Sequence, residues 1–372
     1  MCKKIREITV DELSSLPLDS YCCVDVRSEI SYENGHITNA RFWDCSDEAA
    51  KKLPKDKLLV VYCGYGEQSV SLVKRLSELG FNTCNLSGGF RAWLLDYFKN
   101  PVENELSASE IERYDRQIIL PQIGLDGQKR LKNSSVLVVG AGGLGSPSAL
   151  YLAGAGVGRI GIIDSDSVSV SNLQRQILHT FGRIGQNKSD SAKEALQLLN
   201  DKIKAEAYPF ALTAENAEEI ISKYDFVIDG ADNFETKFLI NDACVLLKKA
   251  FCHAGILRFE GQAMTYVPDK SPCYRCVFEK PPQKGEIPNC SQAGVIGAVA
   301  GILGSVQALE AIKYLLNIGE LLTGRIFVFD ALTMKSRIVK CDMNSHSCEL
   351  CSGKIKNLQE LSEQYIHSPD CF

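Results

Sequence analysis

The chain has 372 residues, more than one hydrophobic core usually supports, so two domains are expected. Hydrophobic residues make up 45% and charged residues 23%, which excludes a disordered or fibrous chain. Lys and Arg number 41 against 46 Asp and Glu, a net charge of −5, so no basic excess points to nucleic acid. Fifteen cysteines would suit a disulfide-bonded secreted domain, but Met1-Cys2-Lys3-Lys4-Ile5-Arg6-Glu7 leads into a polar stretch without an apolar signal core. The expectation is a cytoplasmic protein whose thiols are metal ligands, nucleophiles or small buried hydrophobes.

The first α/β segment runs from Glu7 to about Asn100. Tyr21–Val26 and Leu58–Tyr62 are short and β-branched, as buried strands should be, and Ser69–Leu79 has helical periodicity that stops at Gly80. Residues 101–108 lack a hydrophobic period and form a linker that could span roughly 30 Å. A helix is expected to open at Ser109, with Glu112 completing a capping box.

From Val136 onward strand and helix patterns alternate. Val136–Val139, Ile160–Asp164, Phe226–Asp229 and Phe251–Ala254 read as strands, with a helix at Asn241–Lys249, which predicts a parallel, doubly wound sheet. Gly261–Val267, Ile326–Phe329 and Ser336–Lys340 read as later, antiparallel strands. Ser291–Leu309 is uncharged, but Gly294, Gly297, Gly301 and Gly304 recur at helical spacing, so a buried helix against a sheet is expected rather than a membrane span. A polar tail of residues 353–372 follows, with a weak helical pattern at Ile355–Tyr365.

Val136–Val139 feeds Gly140-Ala141-Gly142-Gly143-Leu144-Gly145, a strand entering a G-x-G-x-x-G turn before a helix. Such glycines let backbone N–H groups approach phosphate at the positive end of the helix. Asp164 ends the next strand at the distance where an acid can hold ribose hydroxyls. Taken alone, these features would suit a dinucleotide dehydrogenase.

Further motifs change that. Ser171-Asn172-Leu173-Gln174-Arg175-Gln176, Lys188, Gly230-Ala231-Asp232-Asn233 and, upstream, Arg113-Tyr114-Asp115-Arg116-Gln117 resemble the ATP site of sulfur-carrier adenylyltransferases. That family includes the molybdopterin-synthase and thiamine-thiazole activating enzymes and is related to ubiquitin-activating enzymes. The resemblance covers about Ser109 to Cys351 and implies a Rossmann-like adenylation domain, residues 109–352, with ATP held by Gly142, Gly143, Asp164, Ser171–Arg175, Lys188, Asp232 and Asn233. Adenylation brings a carboxylate against an anionic phosphate, so cations must offset the repulsion. Arg175 and Arg116 can grip phosphate oxygens, Lys188 acts as a point charge, and Asp232 would hold Mg²⁺. In the family the arginine matching Arg116 comes from a second protomer, which implies a homodimer.

Cys273-x-x-Cys276 and Cys348-x-x-Cys351 are two pairs with metal-ligand spacing, and four thiolates complete a tetrahedral zinc shell. Because the pairs lie far apart in sequence, such a zinc would be structural. The family uses corresponding pairs for zinc. Cys290 follows a Pro-, Gly- and Lys-containing loop and precedes the Gly-striped helix, a position that can lower a thiol's pKa. In the family the cysteine at this place can bond to the carrier protein or exchange sulfur. Cys22, Cys23, Cys244 and Cys252 lie in apolar runs and are expected to be packing residues.

Residues 1–100 resemble a rhodanese domain. Val24-Asp25-Val26-Arg27, Glu33-Asn34-Gly35-His36-Ile37, Val60-Val61-Tyr62-Cys63-Gly64-Tyr65-Gly66-Glu67-Gln68-Ser69 and Leu86-Ser87-Gly88-Gly89-Phe90-x-x-Trp93 carry the resemblance. It implies that Cys63 carries sulfur, in a loop whose amides can form an anion nest. Two departures stand out. Related fusions carry this module after the adenylating domain, and Glu67-Gln68 stands where relatives often place an arginine. A negative side chain would repel thiosulfate, so a protein persulfide donor, such as a cysteine desulfurase, is expected.

The fold expectation is therefore α/β: a rhodanese-like domain followed by a doubly wound adenylation domain with structural zinc. The resemblances together imply ATP-dependent adenylation of the C-terminal glycine of a ubiquitin-fold sulfur carrier ending in Gly-Gly, then sulfur transfer from a Cys63 persulfide. Activation of a ubiquitin-like protein through a Cys290 thioester, with an inactive rhodanese domain, stays open. So does a redox-sensitive scaffold, against which the ATP constellation argues. Thiamine, molybdopterin, tRNA-thiolation and amino-acid pathways also remain open.

Overall fold

The computed structural model describes residues 5–97, 106–279, 294–341 and 348–365. The chain divides into two compact units, residues 1–130 and 131–372.

In the first unit, strands β1 (Glu7–Ile8), β2 (Tyr21–Asp25), β3 (Arg41–Phe42), β4 (Leu58–Tyr62) and β5 (Thr83–Leu86) form a parallel sheet in the order β1-β5-β4-β2-β3. The period-2 alternation of strands divides β4 between two cores. Val60 and Tyr62 pack on one face with Ile8, Leu86 and Phe90, while Leu59 and Val61 pack on the other with Trp43, Val73 and Leu76. The helix after β4 spans Ser69–Glu78, with Gly80 at φ +87° just beyond it, as expected for a helix stop.

The helix carrying the Arg113–Gln117 motif spans Ala108–Ile118, two residues earlier than the sequence suggests. Its capping box is Ser107 with Glu110 rather than Ser109 with Glu112. Both pairs fit the S-x-x-E pattern, so packing decides. Only the Ser107 start flanks the box with an apolar pair, Leu106 and Ile111, both buried in one cluster as a hydrophobic staple. Ile111, Tyr114 and Ile118 of this helix complete the Val60 face of the first unit's core.

The second unit holds an eight-stranded sheet built from β6 (Ser135–Val139), β7 (Arg159–Ile163), β8 (Lys204–Tyr208), β9 (Phe226–Asp229), β10 (Ala250–Leu257), β11 (Glu260–Tyr266), β12 (Arg325–Asp330) and β13 (Lys335–Lys340). The order is β13-β12-β11-β10-β9-β6-β7-β8; β8 to β10 are parallel and β10 to β13 antiparallel. From β6 the chain winds outward through β7 to β8, then returns to place β9 on the other side of β6. The crevice beyond the carboxyl ends of β6 and β9 is thus a topological switch point, where open α/β sheets bind ligands.

The helix read over Asn241–Lys249 is Phe234–Leu246 instead. Asn233 caps it, its Oδ1 accepting the Thr236 N–H at 2.8 Å, and this signal was masked by the Gly-Ala-Asp-Asn motif around it. The Gly-striped segment becomes the helix Gly297–Leu316, long and apolar enough to cross a membrane, with half of its most apolar window buried against the helix Gly145–Ala155 and strands β10 and β11. The stripe is used unevenly. A Cβ at Gly304 would stand 2.5 Å from Leu144 O, whereas one at Gly301 would meet nothing within 4 Å.

Candidate active site

A cavity of about 660 Å³ opens at the switch point. Its lining includes Gly140, Gly142, Gly143, Asp164, Arg175, Lys188, Asp232 and Asn233. The glycine turn owes its shape to backbone crowding. Gly140 has φ +91°, and a Cβ on Gly145 would stand 1.8 Å from Gly140 O. No side chain caps the following helix Gly145–Ala155. That leaves the positive end of the helix facing the cavity for an anion.

Asp164 accepts the Ala141 N–H at 2.8 Å and the Asp166 N–H at 2.9 Å, which fixes the acid beside the turn. Burial raises its pKa, against the pull of Lys188 and those two amides. Lys188 is the first residue of its helix, 6% exposed, with Nζ 2.7 Å from Asp166 Oδ2. Arg175 lies along the glycine turn: its Cγ and Cδ are 3.5 Å from where a Cβ of Gly143 would be. One anion-receptive concavity therefore holds an arginine, a lysine and a carboxylate, Asp232, three residues beyond the end of β9.

The second constellation belongs to the first unit. Cys63 follows β4 and is 3% exposed. Its Sγ accepts the Gly66 N–H at 3.2 Å and lies 3.4 Å from Ser69 Oγ. Asn85 orders the loop, donating to Gly66 O at 2.8 Å, and its Oδ1 lies 2.7 Å from Ser69 Oγ, whose single proton is shared between that oxygen and Cys63 Sγ. Burial raises the Cys63 pKa, but the bonds from Ser69, Tyr65 and Gly66 outweigh it and hold the thiol below its ordinary value. Cys84 and Cys23, in the same sheet, are pushed by burial up to about 11 and about 12. Ser69→Ala is accordingly expected to raise the Cys63 pKa and slow its alkylation at neutral pH, because less of the thiol is then thiolate. Rates of iodoacetamide labelling against pH check this: the midpoint should move upward.

Cys273, Cys276, Cys348 and Cys351 form the third cluster, with all four sulfurs within 4.8 Å of one another. A tetrahedron of Zn–S bonds of about 2.3 Å sets sulfur–sulfur separations near 3.8 Å. The Cys273–Cys276, Cys273–Cys348 and Cys276–Cys351 separations are 3.7, 3.6 and 3.8 Å. The cluster fits a four-thiolate metal site.

Residues 114–350 match the ThiF family, and residues 9–96 match the rhodanese-like domain. The chain belongs to the ThiF family. The adenylyltransferase and sulfurtransferase MOCS3 of Culex quinquefasciatus is 48% identical over 259 residues, covering 70% of this chain and 59% of that protein. The sulfur carrier protein adenylyltransferase of Thermus thermophilus is 48% identical over 250 residues, covering 66% of this chain and 92% of that protein. The chain thus spans about 59% of the length of its Culex relative. Among solved structures, PaaA is 26% identical with a TM-score of 0.55 over 65% of this chain and 76% of its own. E. coli MccB with ATP shares the fold at 24% identity and a TM-score of 0.57, covering 64% of this chain and 74% of its own.

Within this ThiF-family fold, Ser171, Asn172, Leu173 and Gln174 lie beside the cavity without lining it. The first two belong to the 3₁₀ turn Val170–Asn172, and Arg175 Nη1 donates to Ser171 O at 3.2 Å. Arg116 sits in the first unit, its Nη1 3.3 Å from the hydroxyl of Tyr65 in the Cys63 loop. Cys290 lies outside the described residues. Cys22, Cys23, Cys244 and Cys252 are buried in the cores, as packing residues should be. Sequence reasoning missed Asp229, Lys237 and His253 near the cavity floor. Asp229 and His253 sit within runs read as strands, and Lys237 in the helical turns before Asn241, outside the helix read from the sequence. The pairing depends on the parallel register of β9 and β10, which places His253 opposite Asp229.

Proposed function

We propose that this chain adenylates the C-terminal carboxylate of a ubiquitin-fold sulfur carrier ending in Gly-Gly, then delivers sulfur to it from a persulfide on Cys63. The observation that carries the first step is the gathering of Arg175, Lys188 and Asp232 around one switch-point cavity with an uncapped helix N-terminus. That set has no use in hydride transfer. In adenylation, Arg175 and Lys188 would hold phosphate oxygens while a carboxylate oxygen of the carrier attacks the α-phosphorus and pyrophosphate leaves. Lys188 must first exchange its Asp166 partner for phosphate. Asp232 would hold Mg²⁺, which supplies charge neutralisation on the phosphates when bound. Arg116 would contribute from the second protomer of a homodimer.

For the second step, the terminal sulfur of the Cys63 persulfide attacks the acyl carbon and expels AMP, leaving an acyl disulfide. A thiol reductant then cleaves the S–S bond, releasing the carrier thiocarboxylate and the Cys63 thiol. The amides and Ser69 hydroxyl around Cys63 support this, because they stabilise negative charge on sulfur. Glu67, exposed in the same loop, favours a protein persulfide donor such as a cysteine desulfurase over a small anion. The four-cysteine cluster would hold zinc in a structural role, and the cytoplasm is the compartment that suits these reduced thiols.

Carrier-dependent ATP–pyrophosphate exchange tests the proposal. The chain is expected to catalyse it, and Asp232→Ala to lower it by at least about 10²-fold, a loss typical of removing one charge-stabilising group. Exchange at the wild-type rate in that variant would remove Asp232 from the site.

A further inference from the structure

The floor of the cavity holds a polar group that adenylation as derived above does not use. His253 is 2% exposed, lines the cavity, and its Nδ1 lies 2.7 Å from Asp229 Oδ2. A carboxylate only accepts, so Nδ1 carries the proton. Burial and the nearby Lys237 charge favour the neutral imidazole, against the pull of Asp229. Nε2 is then a bare acceptor. It is buried and has no hydrogen-bond partner among the described residues.

The surroundings hold that acceptor in place. Asp229 is anchored by Lys237 Nζ at 3.2 and 3.3 Å, and Lys237 also donates to Ala254 O at 2.8 Å. Gln307, from the helix Gly297–Leu316, donates to the carbonyls of Asp229 and Cys252 at 2.7 and 2.9 Å, bridging the end of β9 and the residue before His253 in β10. The Tyr274 ring packs on the imidazole with centroids 4.6 Å apart. Gly255 is the neighbour on the Nε2 side, where a Cβ would stand 3.7 Å from that nitrogen. An isolated buried acceptor costs free energy unless a ligand supplies the donor.

The same cavity is lined by His253, which stands level with Asp229, and by Gly255, Ile256, Gly261, Gln262 and Val328 of β10 to β12. An extended peptide end reaching from that side to Asp232 would pass over His253. In a C-terminal residue, the backbone N–H is the donor closest to the carboxylate. We infer that His253 Nε2 accepts the backbone N–H of the terminal residue of the acyl substrate, fixing the carboxylate for attack on ATP. His253 is thus a positioning residue, and the inference rests on the adenylation reading above.

The test is a thermodynamic cycle on ATP–pyrophosphate exchange. A ubiquitin-fold carrier that supports exchange is made by ligation with its last residue as glycine or as N-methylglycine, which lacks the N–H. In the wild-type chain, N-methylation should lower kcat/KM roughly tenfold, as expected for an unpartnered buried acceptor. His253→Ala should lose a similar factor with the glycine carrier and almost nothing further with the N-methylated one. His253→Gln, which keeps an acceptor at the reach of Nε2, should recover part of the sensitivity. KM for ATP should stay unchanged throughout, which a general disturbance of the site would not allow. The inference falls if the wild-type chain tolerates N-methylation, a result that needs no variant to fold. It falls equally if N-methylation costs His253→Ala as much as it costs the wild type. If no carrier supports exchange with the wild-type chain, the adenylation reading itself has failed, and the inference goes with it.

Discussion

Cys63→Ser is expected to leave carrier-dependent ATP–pyrophosphate exchange near its wild-type rate and to abolish the thiocarboxylate product. Adenylation needs no thiol, and the described residues that line the switch-point cavity, Arg175, Lys188 and Asp232 among them, include none of the Cys63 loop. A serine oxygen there would still accept the Gly66 N–H, so the loop should keep its shape, but it cannot carry a persulfide. Intact-mass analysis of the carrier after incubation with ATP, a persulfide donor and a thiol reductant separates the outcomes, since the product gains the mass of sulfur in exchange for oxygen. The competing chemistry, a Cys290 thioester, predicts the reverse pattern. If Cys63→Ser gives normal thiocarboxylate and Cys290→Ser gives none, the first unit is not the sulfur carrier.

How far the sequence led depended on whether a signal was local. The β4–Cys63–helix passage and the glycine turn after β6 were legible because strand, turn and helix follow one another in the chain and their glycines meet steric demands over a few residues. Helix starts were less legible. Ser107 and Ser109 carry the same pattern, and only the burial of Leu106 against Ile111 chooses between them. The hidden part of the site was the Asp229–His253 pair. Its partners lie 24 residues apart and meet through parallel strand register, which no spacing rule expresses. Arg116 adds a further case. Its motif resembles an ATP-site arginine of the second protomer, and the motif alone does not tell that its helix belongs to the first unit's core, with Arg116 beside Tyr65, two residues from Cys63. Sequence similarity registers the motif but not the surface against which it folds.

Removing one metal ligand should have an effect as large as that of Cys63, but on stability. The wild-type chain is expected to hold one zinc, and Cys348→Ser to lose it and lower the melting temperature of the second unit by at least about 10 °C. A structural zinc contributes many kcal/mol to folding, and each kcal/mol shifts the midpoint by about 2–4 °C in a unit of this size. The turn at Tyr274–Val277 shows why the loss should reach the cavity. Tyr274 N–H donates to Asn241 Oδ1 at 2.7 Å, and Arg275 makes a bidentate pair with Asp242 at 2.7 and 2.6 Å, tying the turn to the helix Phe234–Leu246. Tyr274 and Phe278 then form part of the cavity wall beside His253. Without metal to join the Cys273 and Cys348 pairs, that wall loses its link to the segment around Leu350, which is itself buried. Exchange activity should therefore fall together with the melting temperature, and both should respond to a zinc chelator in the wild-type chain. Metal analysis finding no zinc, or a Cys348→Ser variant that melts with the wild type, would remove the four-cysteine site.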